Sequence, residues 1–153
     1  MKKIEKMVVP VDFYQHTDGL VGFAMDVANQ MGAKITFLHV VEPVGEGINY
    51  FGEYPASFAD VNEEIFERAE SQMAALVKKC EVTSPGCSGL VLKGDVTDGI
   101  LDYVKGKASD LLVMGTHGYR GIQKIVLGSV ADRVLKRASC PILIFNPYKG
   151  EVS

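Results

Sequence analysis

The sequence predicts a single α/β domain, an open, doubly wound parallel sheet of five strands covered by helices. A chain of 153 residues, 47% hydrophobic and 23% charged, is sufficient for one ordinary globular core. Five short apolar runs are nearly continuous in Val, Ile, Leu and Met, as in strands that are buried on both faces. Segments with helical spacing lie between these runs, and such alternation implies right-handed βαβ crossovers.

The five apolar runs are the predicted strands. In chain order they are Ile4 to Val11, Ile35 to Val41, Leu90 to Leu92, Leu111 to Met114 and Pro141 to Phe145.

Two helices are predicted in the first half of the chain. The first carries the stripe Leu20, Ala24, Val27, Ala28 and Met31, and the second carries Val61, Ile65, Ala69, Met73, Leu76 and Cys80. Gly32 is expected as the C-cap of the first helix. Asp60 with Glu63 is expected to open the second helix as a capping box.

Two further helices follow in the second half. The third is expected over about Thr97 to Lys105, with Ile100, Leu101 and Val104 facing inward. The fourth is expected to start at Ser129, with Asp132 at the capping-box position and Val130, Val134, Leu135 and Ala138 as its stripe.

Composition narrows the classes of function. A net charge of −3 argues against a nucleic-acid binder that neutralises phosphates. No apolar run approaches the ~20 residues that cross a membrane, and no signal peptide is indicated. The three cysteines, Cys80, Cys87 and Cys140, are expected as reduced thiols in the cytoplasm, with a Cys80–Cys87 bridge as the less favoured alternative.

The connection from Pro43 to Ala59 is long and carries four aromatic residues. Loops of this length in compact domains tend to be functional or mobile. Two interpretations stay open: a lid over a ligand, and a loop attached to the surface by its aromatic side chains.

The segment from Gly115 to Ser129 carries the strongest chemical signal. In an open parallel sheet, ligands bind outside the carboxyl ends of the strands at the switch point. Gly115, Gly118, Gly121 and Gly128 fall there, between a strand and a helix. Glycine lets phosphate oxygens approach backbone N–H groups, and a helix N-terminus favours an anion. The alternative is a long connection whose glycines only make turns.

A basic run accompanies this segment. Its cations are Arg120, Lys124, Arg133, Lys136 and Arg137, against the single acid Asp132. This cluster indicates either an anion site or an ordinary solvated helix face. The P-loop, the dinucleotide fingerprint, H-E-x-x-H and G-x-S-x-G are all absent from the sequence.

The spacing G-x2-G-x9-G-[ST], formed by Gly115, Gly118, Gly128 and Ser129, resembles the nucleotide signature of ATP-binding universal stress proteins. The segments Val9 to Asp12, Leu38 to Val40 and Ser139 to Leu143 also resemble that family, so the likeness extends over about residues 3–146. It implies a Rossmann-like fold similar to the adenine nucleotide alpha hydrolases, with strand order 3-2-1-4-5. The domain is expected over 1–148, with 149–153 as a C-terminal tail.

The resemblance also implies a set of ligand contacts, with ATP, and Mg or Mn on its phosphates, as the expected ligand. Asp12 would lie near the ribose or a metal-bound phosphate; alternatively it caps the next helix. Val41, or Val40 one residue earlier, would offer backbone groups to adenine. The complete expected set is Pro10, Val11, Asp12, Val40, Val41, Met114, Gly115, His117, Gly118, Gly128, Ser129 and Val130.

One departure from the family pattern follows Asp12. The family often has Gly-Ser or Phe-Ser there, whereas this chain has Phe13 and Tyr14. The bulk of Tyr14 either narrows the pocket or points outward. His39, on an apolar strand, is expected to be a hydrogen-bonded core residue.

By resemblance, the protein is a homodimer through its last strand and a nucleotide-dependent regulatory module with an unidentified effector protein. The main alternative is a slow ATPase or phosphotransferase, for which Asp12, Ser129 and Lys124 are the candidate residues. AMP or a cyclic nucleotide is the alternative ligand.

Overall fold

The computed structural model describes residues 2–45, 56–116 and 127–147. In that part of the chain, strands and helices alternate. In order they are β1 (Lys6–Pro10), α1 (Thr17–Met31), β2 (Lys34–Val41), α2 (Ala56–Glu81), β3 (Ser88–Lys93), α3 (Val96–Gly106), β4 (Leu111–Gly115), α4 (Ser129–Arg137) and β5 (Ile142–Phe145).

The five strands form one parallel sheet in the order β3-β2-β1-β4-β5, which confirms the predicted fold class and strand order. The chain winds outward from β1 toward β3 and then returns to β4 on the other side of β1. The switch point therefore lies between β1 and β4, and the loops that follow these two strands diverge there.

Two hydrophobic cores cover the two faces of the sheet. Helices α1 and α2 pack on one face, where Phe37 is fully buried. Helices α3 and α4 pack on the other face, where Leu38 is fully buried. Successive residues of a strand point to opposite faces, so a strand between two helical layers needs a continuous apolar run.

The predicted end of α1 and the predicted start of α4 agree with the structure, whereas the two predicted capping boxes are wrong. Gly32 ends α1 in the left-handed region, at φ 66°, and the cap N–H bonds to Ala28 O. The expected start of the second helix at Asp60 is wrong, because α2 begins at Ala56. Helix α4 starts at Ser129 as expected, but its N-cap is Gly128, so the expected capping box of Ser129 with Asp132 is not formed.

Three residues assigned to apolar stripes are exposed instead. They are Met31 at the end of α1, Val61 in α2 and Leu135 in α4. Met31 and Leu135 lie in the last turns of their helices, and Val61 lies near the start of α2. Helix ends extend past the sheet, so an apolar residue there has less to pack against.

Asp110 fastens the start of β1 to the residue before β4. Its Oδ2 accepts hydrogen bonds from the N–H groups of Glu5 (3.1 Å) and Lys6 (3.0 Å), and its Oδ1 lies 2.8 Å from Lys2 Nζ. The hydrogen bond from Lys2, followed by the backbone bond from Glu5, lowers the pKa of Asp110 to about 2.

The three cysteines are free thiols, and burial raises the pKa of each of them. Across the described ranges, none of the helices has the length and apolar character required to cross a membrane.

Candidate functional site

The candidate site lies at the carboxyl edge of the sheet. The ends of β1, β2 and β4 meet there with the N-terminal ends of α3 and α4, as parallel βαβ topology requires. Ten of the twelve sequence-predicted site residues lie along this edge. His117 and Gly118 fall outside the described residues, as do Arg120 and Lys124.

The two glycine-rich arms are joined at their bases. The Gly128 N–H donates to Thr116 O at 2.8 Å, and the Thr116 N–H donates to Phe145 O at 2.9 Å. The end of β4 and the start of α4 are therefore held against each other.

The first N–H groups of α4 have no hydrogen-bond partner among the described residues. Its N-cap, Gly128, has no side chain that could bond to the helix, and the first intrahelical bond runs from Asp132 N–H to Gly128 O at 2.9 Å. The N–H groups of Ser129, Val130 and Ala131 precede that bond, so the helix supplies no carbonyl for them. Such a helix end binds anions, because its N–H groups and the positive end of its dipole point the same way.

Gly128 adopts φ −60° and ψ 158°. Any residue can adopt this conformation. The backbone angles therefore do not require glycine at this position.

Asp12 follows β1 and is already bonded through one oxygen. Its Oδ1 accepts from the Tyr14 N–H at 3.0 Å and from the Thr17 hydroxyl at 3.2 Å. Both bonds fix the turn that leads into α1, but neither donor is a helix N–H, so the alternative that Asp12 caps this helix is wrong: the N-cap of α1 is His16. Oδ2 has no bond from the described residues and remains an available acceptor. Tyr14 is half exposed, in keeping with the outward alternative.

His39 positions the backbone after β1. Its Nδ1 lies 2.7 Å from Val11 O, and because a carbonyl only accepts, this nitrogen carries the proton. The His39 ring also lies 4.9 Å from the ring of Phe13, between centroids. Phe13 has φ 61°, a conformation that costs a non-glycine residue about 1–2 kcal/mol. The expectation of a hydrogen-bonded His39 is confirmed, but the residue is only partly buried and lies beside the site.

The hydrogen bonds of β2 show that the backbone groups of Val40 and Val41 face different neighbouring strands. In a parallel strand, the N–H and C=O of one residue face one neighbouring strand, and those of the next residue face the other. Leu38 O accepts from Val11 N–H on the β1 side, whereas Val41 O accepts from Gly94 N–H on the β3 side. The backbone of Val40 therefore faces past the end of β1 into the site, and that of Val41 faces β3.

The N-terminus of α3 forms the remaining wall, which the sequence had not indicated. Here the N–H groups are taken by carboxylates: Asp98 N–H donates to Asp95 Oδ1 at 2.9 Å, and Val96 N–H donates to Glu42 Oε1 at 3.4 Å. The signal in the sequence was Asp95 itself, because aspartate is a favoured N-cap residue immediately before a helix.

The described part of the basic run lies on the surface. Lys136 pairs with Asp132 at 2.9 Å and Arg137 lies 3.6 Å from Asp98, with both lysine and arginine side chains exposed. Lys136 and Arg137 therefore agree with the interpretation of the basic run as an ordinary solvated helix face.

A surface groove of about 560 Å³ lies away from this edge, between α2 and β3. Apolar side chains such as Met73 and Val77 line it together with Glu70 and Glu81. It lies at the β3 edge of the sheet and receives no helix N-terminus. The chemistry of an anion site therefore favours the switch point over this groove.

These features place the chain among open, doubly wound α/β proteins whose binding edge includes an uncapped helix N-terminus. The model of the universal stress protein family matches residues 3–146. The chain belongs to the universal stress protein family.

Similar proteins agree with this assignment. A universal stress protein of Methanocaldococcus jannaschii is 30% identical over 149 residues, which cover 96% of this chain and 85% of the relative. The universal stress protein UspA of Lactobacillus plantarum has a TM-score of 0.81 at 23% identity, covering 95% of this chain and 99% of that structure.

Two similar structures contain nucleotides. A universal stress family protein of Arabidopsis thaliana with AMP bound has a TM-score of 0.65 at 24% identity, covering 93% of this chain and 91% of that one. The Archaeoglobus fulgidus protein in complex with dAMP has a TM-score of 0.65 at 20% identity, covering 94% and 98%.

Proposed function

We propose that this protein binds ATP and acts as a nucleotide-dependent regulatory module of the universal stress protein family. One observation carries the proposal: the uncapped N-terminus of α4 is joined to the end of β4 at the switch point of the sheet. This arrangement supplies several N–H donors to one anion, which is what a phosphate chain requires.

In this proposal the residues divide by the part of the nucleotide they contact. Gly115 and the N–H groups of Ser129 and Val130 bind phosphates, with His117 and Gly118 on the adjoining arm. Asp12 Oδ2 accepts from a ribose hydroxyl, beside Pro10 and Val11. Met114 and the Val40 backbone contact adenine. Val41 holds the end of β2 in place through the bond of its carbonyl to the Gly94 N–H. A bound Mg or Mn ion would be held chiefly by the phosphates.

The adenine part of the proposal is supported by the neighbours that contain AMP and dAMP. A triphosphate rather than a monophosphate is our extension, based on the spacing G-x2-G-x9-G-[ST] from Gly115 to Ser129.

Regulation is favoured over rapid hydrolysis by the bonding of Asp12. Two donors already hold its Oδ1, so this carboxylate is arranged to position a loop. Fast phosphoryl transfer also needs a residue that orients the nucleophile. In the regulatory role, the nucleotide acts through its differential affinity for two states of the protein.

We further propose that the protein is a cytoplasmic homodimer, joined through β5, and that it acts on an effector protein.

The test is to identify, by mass spectrometry, the nucleotide released from freshly purified protein, and then to measure ATP affinity by calorimetry. The informative variant is Gly128→Asp. Aspartate is a good N-cap and its backbone conformation is allowed here, so α4 should keep or gain stability. The same carboxylate would occupy the donors and repel phosphates, weakening ATP binding at least about 30-fold.

The matched control is Gly22→Asp, on the exposed face of α1, where a Cβ meets nothing within 4 Å. It adds the same charge and should leave ATP affinity unchanged. Release of no adenine nucleotide together with no measurable ATP binding would overturn the proposal. So would full ATP affinity in a folded Gly128→Asp variant.

A further inference from the structure

The hydroxyl of Thr97 is buried and has no hydrogen-bond partner among the described residues. Thr97 is 3% exposed. Among the described residues, its Oγ1 is the one buried side-chain nitrogen or oxygen atom without a hydrogen-bond partner. Buried polar groups are nearly always paired, because an unpaired one has lost its bonds to water without replacement. This hydroxyl therefore requires an explanation.

Thr97 lies on the inward face of α3, at the end nearest the candidate site. Residues three and four apart share one face of a helix, so Thr97 is aligned with Ile100 and, beyond it, Val104. Both are buried in the core that also contains Val40 and Met114. Thr97 is one turn closer to the N-terminus of α3, and thus closer to the carboxyl edge of the sheet.

The start of α3 lies directly on the end of β2. A Cβ placed on Gly99 would be 2.9 Å from Val40 Cγ2, so glycine is what permits this approach. Val40 is the residue whose backbone faces into the site. Thr97 is therefore located beside the segment to which the base is assigned in the proposed function.

The electrostatics of this end favour a neutral group over a phosphate. Asp95 and Glu42 already occupy N–H groups of α3, and their negative charges would repel an anion. The N-terminus of α4, in contrast, has neither a capping carboxylate nor a partner for its first N–H groups in the part of the chain that the structure describes. The two helix ends are suited to opposite ends of one nucleotide.

We infer that the Thr97 hydroxyl anchors the nucleotide base, an inference that rests on the proposed function. A hydroxyl both donates and accepts, so it can pair with a ring nitrogen or with the exocyclic amino group of adenine. Apolar side chains of the core on this face, among them Val40, Met114 and Val96, suit the faces of a planar ring.

The experiment compares Thr97→Val with Thr97→Ser, using AMP and ribose 5-phosphate as probes and calorimetry or competition as the readout. Valine keeps the shape and removes the hydroxyl. Thr97→Val should weaken AMP about five- to tenfold, the size of one lost hydrogen bond, and leave ribose 5-phosphate unchanged. Thr97→Ser should bind AMP within about twofold of wild type, because it restores the hydroxyl.

Stability provides a second readout with the opposite sign. Without nucleotide, Thr97→Val should melt at the same temperature as wild type or higher, because it removes an unpaired buried hydroxyl. The control is Thr36→Val, whose hydroxyl lies 3.1 Å from Ser88 Oγ and far from the site. It should not change AMP affinity.

Equal affinity of wild type and Thr97→Val for AMP would overturn this inference while leaving the proposed function intact. Equal losses for AMP and ribose 5-phosphate would overturn it too, since they place the effect away from the base. A wild-type protein that binds neither probe nor ATP would overturn both.

Discussion

His39 connects the second strand to the loop after the first. Its Nδ1 holds the Val11 carbonyl, and its ring packs against Phe13, whose backbone is in the left-handed region. Strained residues of this kind persist only where their surroundings fix them. His39 therefore helps to hold the loop that carries Asp12, together with the bonds of Asp12 to Tyr14 and Thr17.

We expect His39→Leu to lower the free energy of unfolding by about 1–3 kcal/mol, because Val11 O loses its donor in a partly buried place. Urea denaturation checks this. The comparison variant is His39→Asn, whose amide can donate to Val11 O and should recover part of the loss. If His39→Leu were as stable as wild type, the hydrogen bond would not hold the loop.

Single residues were the least predictable part of the site. The sequence indicated Asp12 as a contact but could not show that Thr17 and Tyr14 already occupy one of its oxygens. It also left Val40 and Val41 open, because only the pairing register decides which of two adjacent residues faces the neighbouring strand. Thr97 was visible only as an approximate helix start, since burial without a partner is a three-dimensional property.

The Asp110 cluster operates at the scale of elements, because it joins the segment before β1 to the segment before β4. Its carboxylate accepts two backbone N–H groups and pairs with Lys2. Its side chain is 8% exposed. A pKa of about 2 in the folded state lies below the ordinary value of 3.8, so folding favours the ionised form.

The stabilisation from Asp110 should therefore be complete above about pH 4 and disappear as the pH falls through about 2. We expect Asp110→Asn to unfold at a lower urea concentration than wild type at pH 7. The difference should shrink steadily between pH 4 and pH 2. A difference that stays constant over this range would contradict a role for the charge.

Lys3→Gln is the control for that series. Lys3 lies 3.3 Å from Glu5, with both side chains exposed, so its removal should change stability by less than about 1 kcal/mol.

Elements themselves were well predicted. Each apolar run contains a strand of the sheet or overlaps one. A strand that is covered by helices on both faces needs apolar residues at nearly every position, so its sequence stands out. The start of α2 was not predicted. Asp60 and Glu63 have the spacing of a capping box, but acids also occur on the exposed face of a continuing helix, and here the helix begins four residues earlier.

At the scale of the whole molecule, β5 is an edge strand with β4 as its sheet neighbour. All four of its residues are apolar and only partly buried. Pro141 O accepts from the Leu112 N–H of β4, and Phe145 O accepts from the N–H of Thr116, which follows β4. Backbone groups of successive residues in a parallel strand face opposite sides, so those of Ile142 and Ile144 face away from β4. An apolar edge strand whose outward backbone groups have no partner strand among the described residues is suited to pairing with another strand.

We expect the protein to sediment as a dimer of twice 16.6 kDa, and Ile144→Pro to convert it to a monomer. Proline removes an outward N–H and leaves the bonds to β4 in place, so the fold should survive. Ile144→Val keeps the N–H and should remain dimeric. Analytical ultracentrifugation measures the oligomeric state of each variant, and circular dichroism checks that each variant is folded. A monomeric wild-type protein at micromolar concentrations would refute the dimer.

The 2.8 Å bond between Thr116 O and Gly128 N has one more consequence. It closes the neck of the segment 117–127, so the separation of the two ends no longer depends on how many residues lie between them. Closing a longer loop is inexpensive, about 0.6 kcal/mol for each doubling of its length. The positions of these two anchor points are thus set by this bond rather than by the length of chain that joins them.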